Sequence, residues 1–91
     1  MLTPFYTAHF RRDAKKLAQR GYDMRKLQAA MDCLLLEEKP LPAIYKDHQL
    51  KGRWKSHREL HIEPDWLLIY AIDGDGCFFT RTGTHADLFN K

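Results

Sequence analysis

The chain is poor in cysteine, glycine and proline, has no long apolar run, and carries only a small net charge. Each shortage excludes something. Two cysteines, Cys33 and Cys77, lie outside any C-x-x-C spacing. They are too few for a disulfide framework and read as small, half-buried hydrophobes. Five glycines are scattered singly, so there is no glycine-rich phosphate loop. No G-x-S-x-G nucleophile elbow occurs either. No apolar run approaches the ~18 residues a membrane span needs. The opening MLTPFYTAHFRR lacks the basic, apolar and small-residue order of a signal peptide. A cytoplasmic protein with no membrane partner is expected. A formal charge of +3 is too weak in total to name a partner.

What is present is an ordinary globular composition over 91 residues, 44% hydrophobic and 30% charged. That length predicts one domain, residues 1–91, with one small core and no room for a large enclosed cofactor. The charge is more informative in its distribution. Residues 1–26 carry net +5 and residues 46–61 net +3, while 27–45 carry −2 and 62–91 carry −3. The second basic block also holds three of the five histidines. Polyanion binding and a plain solvated helix face explain the first block about equally well.

Periodicity predicts the elements. Leu2–Tyr6 is a short apolar stretch whose Pro4 confines it to a sheet edge. Thr7 is placed to cap a helix running to about Arg20, with Phe10, Ala14, Leu17 and Ala18 on one face and Gly21 at its end. Arg11, Arg12, Lys15 and Lys16 fall on the other face. Asp23 caps a second helix with Leu27, Met31, Leu34 and Leu35 inward, ending by Lys39 because Pro40 follows. The short Gly21-Tyr22 connection makes the two a hairpin. Residues 40–52 read as a loop anchored by Ile44, Tyr45 and Leu50. Arg53–Ile62 alternates and predicts a strand or bent strand, with Glu59 and His61 on one face. Trp66–Ile72 is apolar throughout and predicts a central strand. Asp73-Gly74-Asp75-Gly76 turns the chain, Cys77–Thr82 returns antiparallel, and Thr84 caps a short terminal turn. Two amphipathic helices need a sheet face on which to bury their stripes. The expected fold is therefore a two-layer α+β sandwich of edge strand, helical hairpin and three-stranded meander, with the opposite sheet face open.

The titratable groups gather late in the chain. His57 and His61 in HRELH superficially suggest a metal site. The zinc-protease pattern is H-E-x-x-H on a helix, whereas four strand residues span ~13 Å, so no metal ligands are expected there. His48, His57, His61 and His85, with Arg81, Asp65 and Glu63, fall around one sheet edge and its loops. Histidine suits proton transfer at neutral pH. RNA cleavage needs little more than a base for the 2′-OH, an acid for the leaving 5′ oxygen and a cation for the crowded phosphate. Aromatic groups such as Trp66 or Phe89 could hold an unstacked base. Five histidines are only modestly enriched, and a solvated surface explains them at least as well.

From residue 41 onward the sequence becomes specific. LPAIYKDHQLKGRWKSHRELHIEPDWLLIY at 41–70 and RTGTHADLF at 81–89 carry YKDH-x-L-x-G-x-W, H-x-EPDW and RTGTH-x-x-LF in order. This pattern resembles the YafQ-type toxins of bacterial toxin–antitoxin systems, within the RelE/ParE superfamily. About half the chain carries the motifs, and the N-terminal half matches mainly in its pattern of two helices.

The resemblance implies a RelE-like fold and a ribosome-dependent endoribonuclease that cuts mRNA in the decoding site, without metal or other cofactor. Its products would carry a 2′,3′-cyclic or 3′ phosphate and a 5′ hydroxyl. A cognate antitoxin would neutralise the toxin, and operator DNA would be reached only through that complex. The family's catalytic positions fall on His48, His61, Asp65, Arg81 and His85, and Trp66 and Phe89 fall on positions tied to activity or substrate placement. His85 is expected as general acid and Arg81 as phosphate stabiliser; Asp65, His61 and His48 are all candidates for the base. Asp65 would need a raised pKa to serve near neutrality. Lys46, Lys51, Arg53 and Lys55 are expected at RNA backbone, where phosphate contacts position without specifying sequence. His9 and His57 stay outside the set. The competing readings are a ParE-like gyrase inhibitor, which needs no dense acid–base set, and a non-catalytic RNA- or protein-binding module.

Overall fold

The structure is a computed structural model, and it describes residues 1–37 and 41–90. Strand β1 (Thr3–Tyr6) leads into helices α1 (Ala8–Gln19) and α2 (Met24–Leu35). Four strands follow: β2 (His48–Gln49), β3 (Arg58–Glu63), β4 (Trp66–Asp73) and β5 (Gly76–Gly83). A short helix, α3 (His85–Phe89), ends the described chain. The strands form one mixed sheet in the order β1-β5-β4-β3-β2. Among the described residues, only the β1–β5 pair is parallel. Pro4 sits in the edge strand, where its missing N–H removes no ladder bond from a neighbour.

The local signals act as their chemistry requires. Thr7 Oγ1 accepts the Phe10 N–H at 2.9 Å and caps α1. The same hydroxyl donates to the Thr80 carbonyl at 2.7 Å, tying the helix start to β5. Asp23 Oδ1 accepts the Arg25 N–H and caps α2. Gly21 lies at φ +87°, a left-handed conformation that costs a residue with Cβ and lets the chain reverse between the helices. Phe10, Leu17, Leu27, Ala30, Met31 and Leu34 pack on Leu60, Leu68, Tyr70, Cys77 and Phe79 of the sheet. Each fully buried large apolar side chain contributes roughly 1.5–3 kcal/mol, which is how two short helices are held to the strands. Cys77 is wholly buried, and burial pushes its thiol up to about 11, so it behaves as a small core residue.

Three expectations need correction. The segment read as a loop before residue 52 contains β2, whose two residues pair with β3 through His48↔Glu59 and Gln49↔Arg58. The strand expected from Arg53 begins only at Arg58. Gly52–Trp54 is a 3-10 turn, entered through Gly52 at φ +67°, and alternation of residue types cannot distinguish such a wound loop from a strand. Ile44 is 81% exposed and anchors nothing, whereas Leu41 and Tyr45 pack against the core. α2 stops at Leu35, and Glu37 already turns left-handed at φ 56°. Pro40, expected to stop the helix, lies outside the described residues.

The sheet face away from the helices is not simply open. Directly opposite residues of antiparallel strands share a face. The pairs His48↔Glu59, Glu59↔Ile69 and His61↔Leu67 therefore build one continuous patch. Leu67 and Ile69 within it are fully buried although they lie outside the core cluster. Ile62 is the extra residue of a bulge between His61 and Glu63, and it packs against the core while His61 keeps its place on the far face. Among the described residues, no helix is long and apolar enough to cross a membrane.

Candidate active site

The far face carries a row of three imidazoles. The rings of His48 and His61 stack with centroids 5.8 Å apart, and His61 and His85 lie 6.0 Å apart. The three come from different places: the β2 edge, the middle of β3 and the first turn of α3. The fold, not the sequence interval, brings them together.

Two of the three rings, those of His85 and His48, are held by hydrogen bonds to neighbours of definite chemistry. α3 is started by a capping box, in which Thr84 Oγ1 accepts the Asp87 N–H and Asp87 accepts the Thr84 N–H. Gly83 makes room for this turn, because a Cβ there would stand 3.0 Å from Asp87 Cβ. His85 then places its ring against the Pro64-Asp65 turn. Asp65 Oδ1 accepts the His85 backbone N–H at 2.9 Å and lies 2.6 Å from Nδ1. A carboxylate oxygen accepts, so Nδ1 carries the proton and Nε2 is the nitrogen left for chemistry. The two bonds from His85, backbone first, hold the Asp65 carboxyl below its ordinary range. This bears on the expectation that placed Asp65 among the candidate bases. A proton acceptor near neutrality needs a raised pKa, and Asp65 has the opposite shift.

His48 is oriented from behind. Its Nδ1 lies 2.9 Å from the Lys46 carbonyl, so Nδ1 donates and Nε2 faces the site. Lys46 can present that carbonyl because it sits left-handed at φ 49°, closing the 3-10 turn Ala43–Tyr45. Asp47 points away from the row. It accepts two bonds from the Arg58 guanidinium and one from the Tyr70 hydroxyl, so consecutive residues 47 and 48 serve a structural network and the site respectively.

Sequence reasoning missed Glu59. Its side chain is 7% exposed, with Oε1 3.4 Å from His48 Nε2 and 3.6 Å from His61 Nε2. The signal was available: Glu59 alternates onto the same strand face as His61.

Arg81 is placed differently from expectation. Its guanidinium makes two bonds to Asp13 of α1, at 2.7 and 3.1 Å, and Asp13 also accepts the Thr82 N–H. By register Arg81 lies across Ile69 from Glu59, two strand spacings or roughly 10 Å away. Among the described residues, no hydrogen bond links it to the three histidines. Asp13 is the second residue the sequence reading missed.

Trp66 also needs correction as a substrate contact. It is fully buried, its Nε1–H donates to Thr82 Oγ1 at 3.0 Å, and Tyr22 packs edge-on against it. It supports the site from beneath. Phe89 is half-buried and meets Trp54 edge-on at 6.5 Å, at the rim of the site. Lys46, Lys51, Arg53 and Lys55 are exposed to solvent along residues 46–55. His57 packs on Trp54 at 5.2 Å, outside the row, and His9 is exposed on α1.

A held imidazole with one free nitrogen, beside a second imidazole pair around a carboxylate, is equipped to move two protons at one substrate. Residues 2–90 match the family model described as a bacterial toxin of type II toxin–antitoxin system, YafQ. The chain belongs to the YafQ toxin family. The mRNA interferase toxin YafQ of Escherichia coli K12 is 48% identical over 84 residues, 92% of this chain and 91% of that protein. The E. coli DinJ–YafQ toxin–antitoxin complex contains a chain of TM-score 0.91 at 45% identity, with 97% of both chains covered. A metal-bound toxin from Helicobacter pylori matches at TM-score 0.90 and 41% identity, covering 98% of this chain and 100% of that one. The RelE-like α+β architecture follows from these matches together with the sheet described above.

Proposed function

We propose that this YafQ-family chain is a ribosome-dependent endoribonuclease that cuts mRNA in the decoding site by metal-independent acid–base chemistry. The observation that carries the reading is the hold of Asp65 on His85 Nδ1, with His61 and His48 next in the row. The ribose 2′-OH attacks the adjacent phosphorus as its proton passes to a base. The new bond is 2′-O to phosphorus, and the bond broken is phosphorus to 5′-O. His85 protonates the leaving 5′ oxygen, and Asp65 stabilises the imidazolium from which that proton comes. The base belongs to the His48–His61 pair, beside the Glu59 carboxylate. The products are a 2′,3′-cyclic phosphate and a 5′ hydroxyl. Arg81 lends its charge to the phosphate when it leaves Asp13, and Phe89 with Lys46, Lys51, Arg53 and Lys55 holds the RNA at the rim.

The ribosome supplies the rest of the substrate enclosure around the half-exposed His48 and His85 rings. A cognate antitoxin neutralises the chain, as DinJ partners YafQ in the E. coli complex, and operator DNA is reached through that assembly. The chain acts in the cytoplasm, where translation takes place.

The test adds the purified chain to a translating extract and maps mRNA ends by primer extension. Codon-registered cuts that disappear with His85→Ala, in a protein whose far-UV spectrum is unchanged, are expected. Equal cutting of naked RNA would overturn ribosome dependence. Intact mRNA with blocked DNA supercoiling would replace the proposal with gyrase inhibition, and binding without either effect would leave only an RNA- or protein-binding module.

A further inference from the structure

Glu59 is buried with one carboxylate oxygen between two imidazole nitrogens, at 3.4 and 3.6 Å. Both separations are longer than the roughly 2.7–3.2 Å of an N–H···O hydrogen bond. One ligand atom from each of His48, Glu59 and His61 lies within 4.8 Å of the others. Because His48 Nδ1 donates to the Lys46 carbonyl, the neutral His48 ring points a bare lone pair at Nε2 toward the carboxylate. A lone pair facing a carboxylate is repulsive unless a proton or a cation lies between them. His61 adds an Nδ1 that is buried and has no partner.

The spacing fits a metal ion. Zinc binds nitrogen and carboxylate oxygen at about 2.0–2.2 Å in a tetrahedron, which places neighbouring donor atoms about 3.3 Å apart. The two His–Glu separations lie within a few tenths of an ångström of that value. Two histidines and a glutamate are also a donor set that zinc uses with its fourth position open. Metal-ligating histidines commonly donate their other ring N–H to a backbone carbonyl, as His48 does to Lys46. The spacing argument that set HRELH aside concerned His57 and His61. His48 reaches the site from the neighbouring strand β2 and does not face that limit.

We propose that His48, Glu59 and His61 bind a single Zn(II) ion, and that its binding switches the ribonuclease off. The ion takes the lone pairs at both Nε2 atoms and the free electron pair of Glu59 Oε1. The 2′-OH proton then has no acceptor in the His48–His61 pair. No RNA bond is made or broken by the ion. The inhibitory half rests on the ribonuclease reading, whereas the binding half rests only on the three ligands.

The free chain is titrated with Co(II), read by the visible bands of a tetrahedral site, and with Zn(II), read by calorimetry. One ion per chain at micromolar affinity or tighter is expected. His48→Gln and Glu59→Gln are each expected to weaken it at least about tenfold with the far-UV spectrum retained. His57→Gln should leave binding unchanged. In the cleavage assay, Zn(II) should inhibit at concentrations that track its affinity, and EDTA should restore cutting. No binding at about 1 mM Zn(II), or binding that survives both His48→Gln and Glu59→Gln, overturns the site. Faster cleavage with Zn(II) overturns the inhibitory role. Tight binding by a chain that cuts no RNA in metal-free buffer supports the site and overturns the ribonuclease reading and the inhibitory role together.

Discussion

One oxygen of Asp65 holds His85 twice, through the backbone N–H at 2.9 Å and through Nδ1 at 2.6 Å. The backbone bond fixes where α3 starts, and the ring bond fixes which nitrogen of His85 is free. A turn residue that looks interchangeable in sequence therefore sets both the position and the tautomer of the proposed acid.

Asp65→Asn should separate geometry from charge. The amide oxygen can accept the same bonds, but it no longer stabilises a charged ring. The cleavage rate under saturating conditions should fall about 10- to 1000-fold with little change in KM, measured by single-turnover cutting. An unchanged rate would remove Asp65 from the mechanism. The same carboxyl predicts an acid limb. Its pKa is lowered in the fold from 3.8, so its stabilising contribution is present above that value and disappears as pH falls through the lower folded value. Hydrogen exchange at the His85 amide should accelerate below about pH 4 in the parent chain and show no such onset in Asp65→Asn.

Asp13→Ala should destabilise the chain by about 1.5–3 kcal/mol, read from the urea midpoint. The substitution leaves the Arg81 guanidinium, whose side chain is only 18% exposed, without its two acceptors. Arg81→Ala orphans Asp13 and should cost a similar amount, so its cleavage defect must be scored per folded molecule. A midpoint that does not move for Asp13→Ala would mean the pair contributes nothing net.

Trp66→Phe removes the Nε1–H bond to Thr82 and leaves a small void in the core. A loss of about 1–3 kcal/mol is expected, with cleavage per folded molecule retained because Trp66 is wholly buried. Collapse of cleavage in a stable Trp66→Phe chain would restore Trp66 to the substrate surface.

Tyr70→Phe should change the alkaline behaviour. Burial first, and the Asp47 carboxylate second, raise the Tyr70 pKa above its ordinary 10.0. A raised tyrosine is favoured neutral in the fold, so its contribution is intact below about pH 10 and is lost as pH rises beyond it. Tyr70→Phe should be less stable at pH 7 by about 1–2 kcal/mol, yet lose less between pH 10 and 11 than the parent. Parallel pH profiles for the two would show that the phenol does not govern this limb.

The elements that were legible in sequence are those set by local chemistry. Thr7, Asp23 and Thr84 cap helices because a side-chain oxygen beside a free N–H needs no distant partner. Phe10 and Leu17, or Leu27 and Leu34, repeat at helical spacing and so declare a buried face. Gly74-Asp75 turns a hairpin from its own residue types, with Asp73 opposite Gly76. The 43–57 segment was less legible, since two 3-10 turns and a two-residue strand leave no period to detect.

The sequence by itself determined the helical hairpin, the β4–β5 hairpin, the histidines available for proton transfer and the motifs of the YafQ toxin family. Only the tertiary structure decided which of those groups meet. His48, His61 and His85 form a row because β2, β3 and α3 place them on one face, and sheet register carries no signature in any single strand. Asp13 reaches Arg81, and Asp65 reaches His85, across 68 and 20 residues. Such pairings arise from the packing of α1 and α3 against β5. Burial of Trp66 and the lowered Asp65 carboxyl are likewise properties of surroundings. A residue type states what chemistry is possible, while its neighbours in space set its exposure, its charge and its direction.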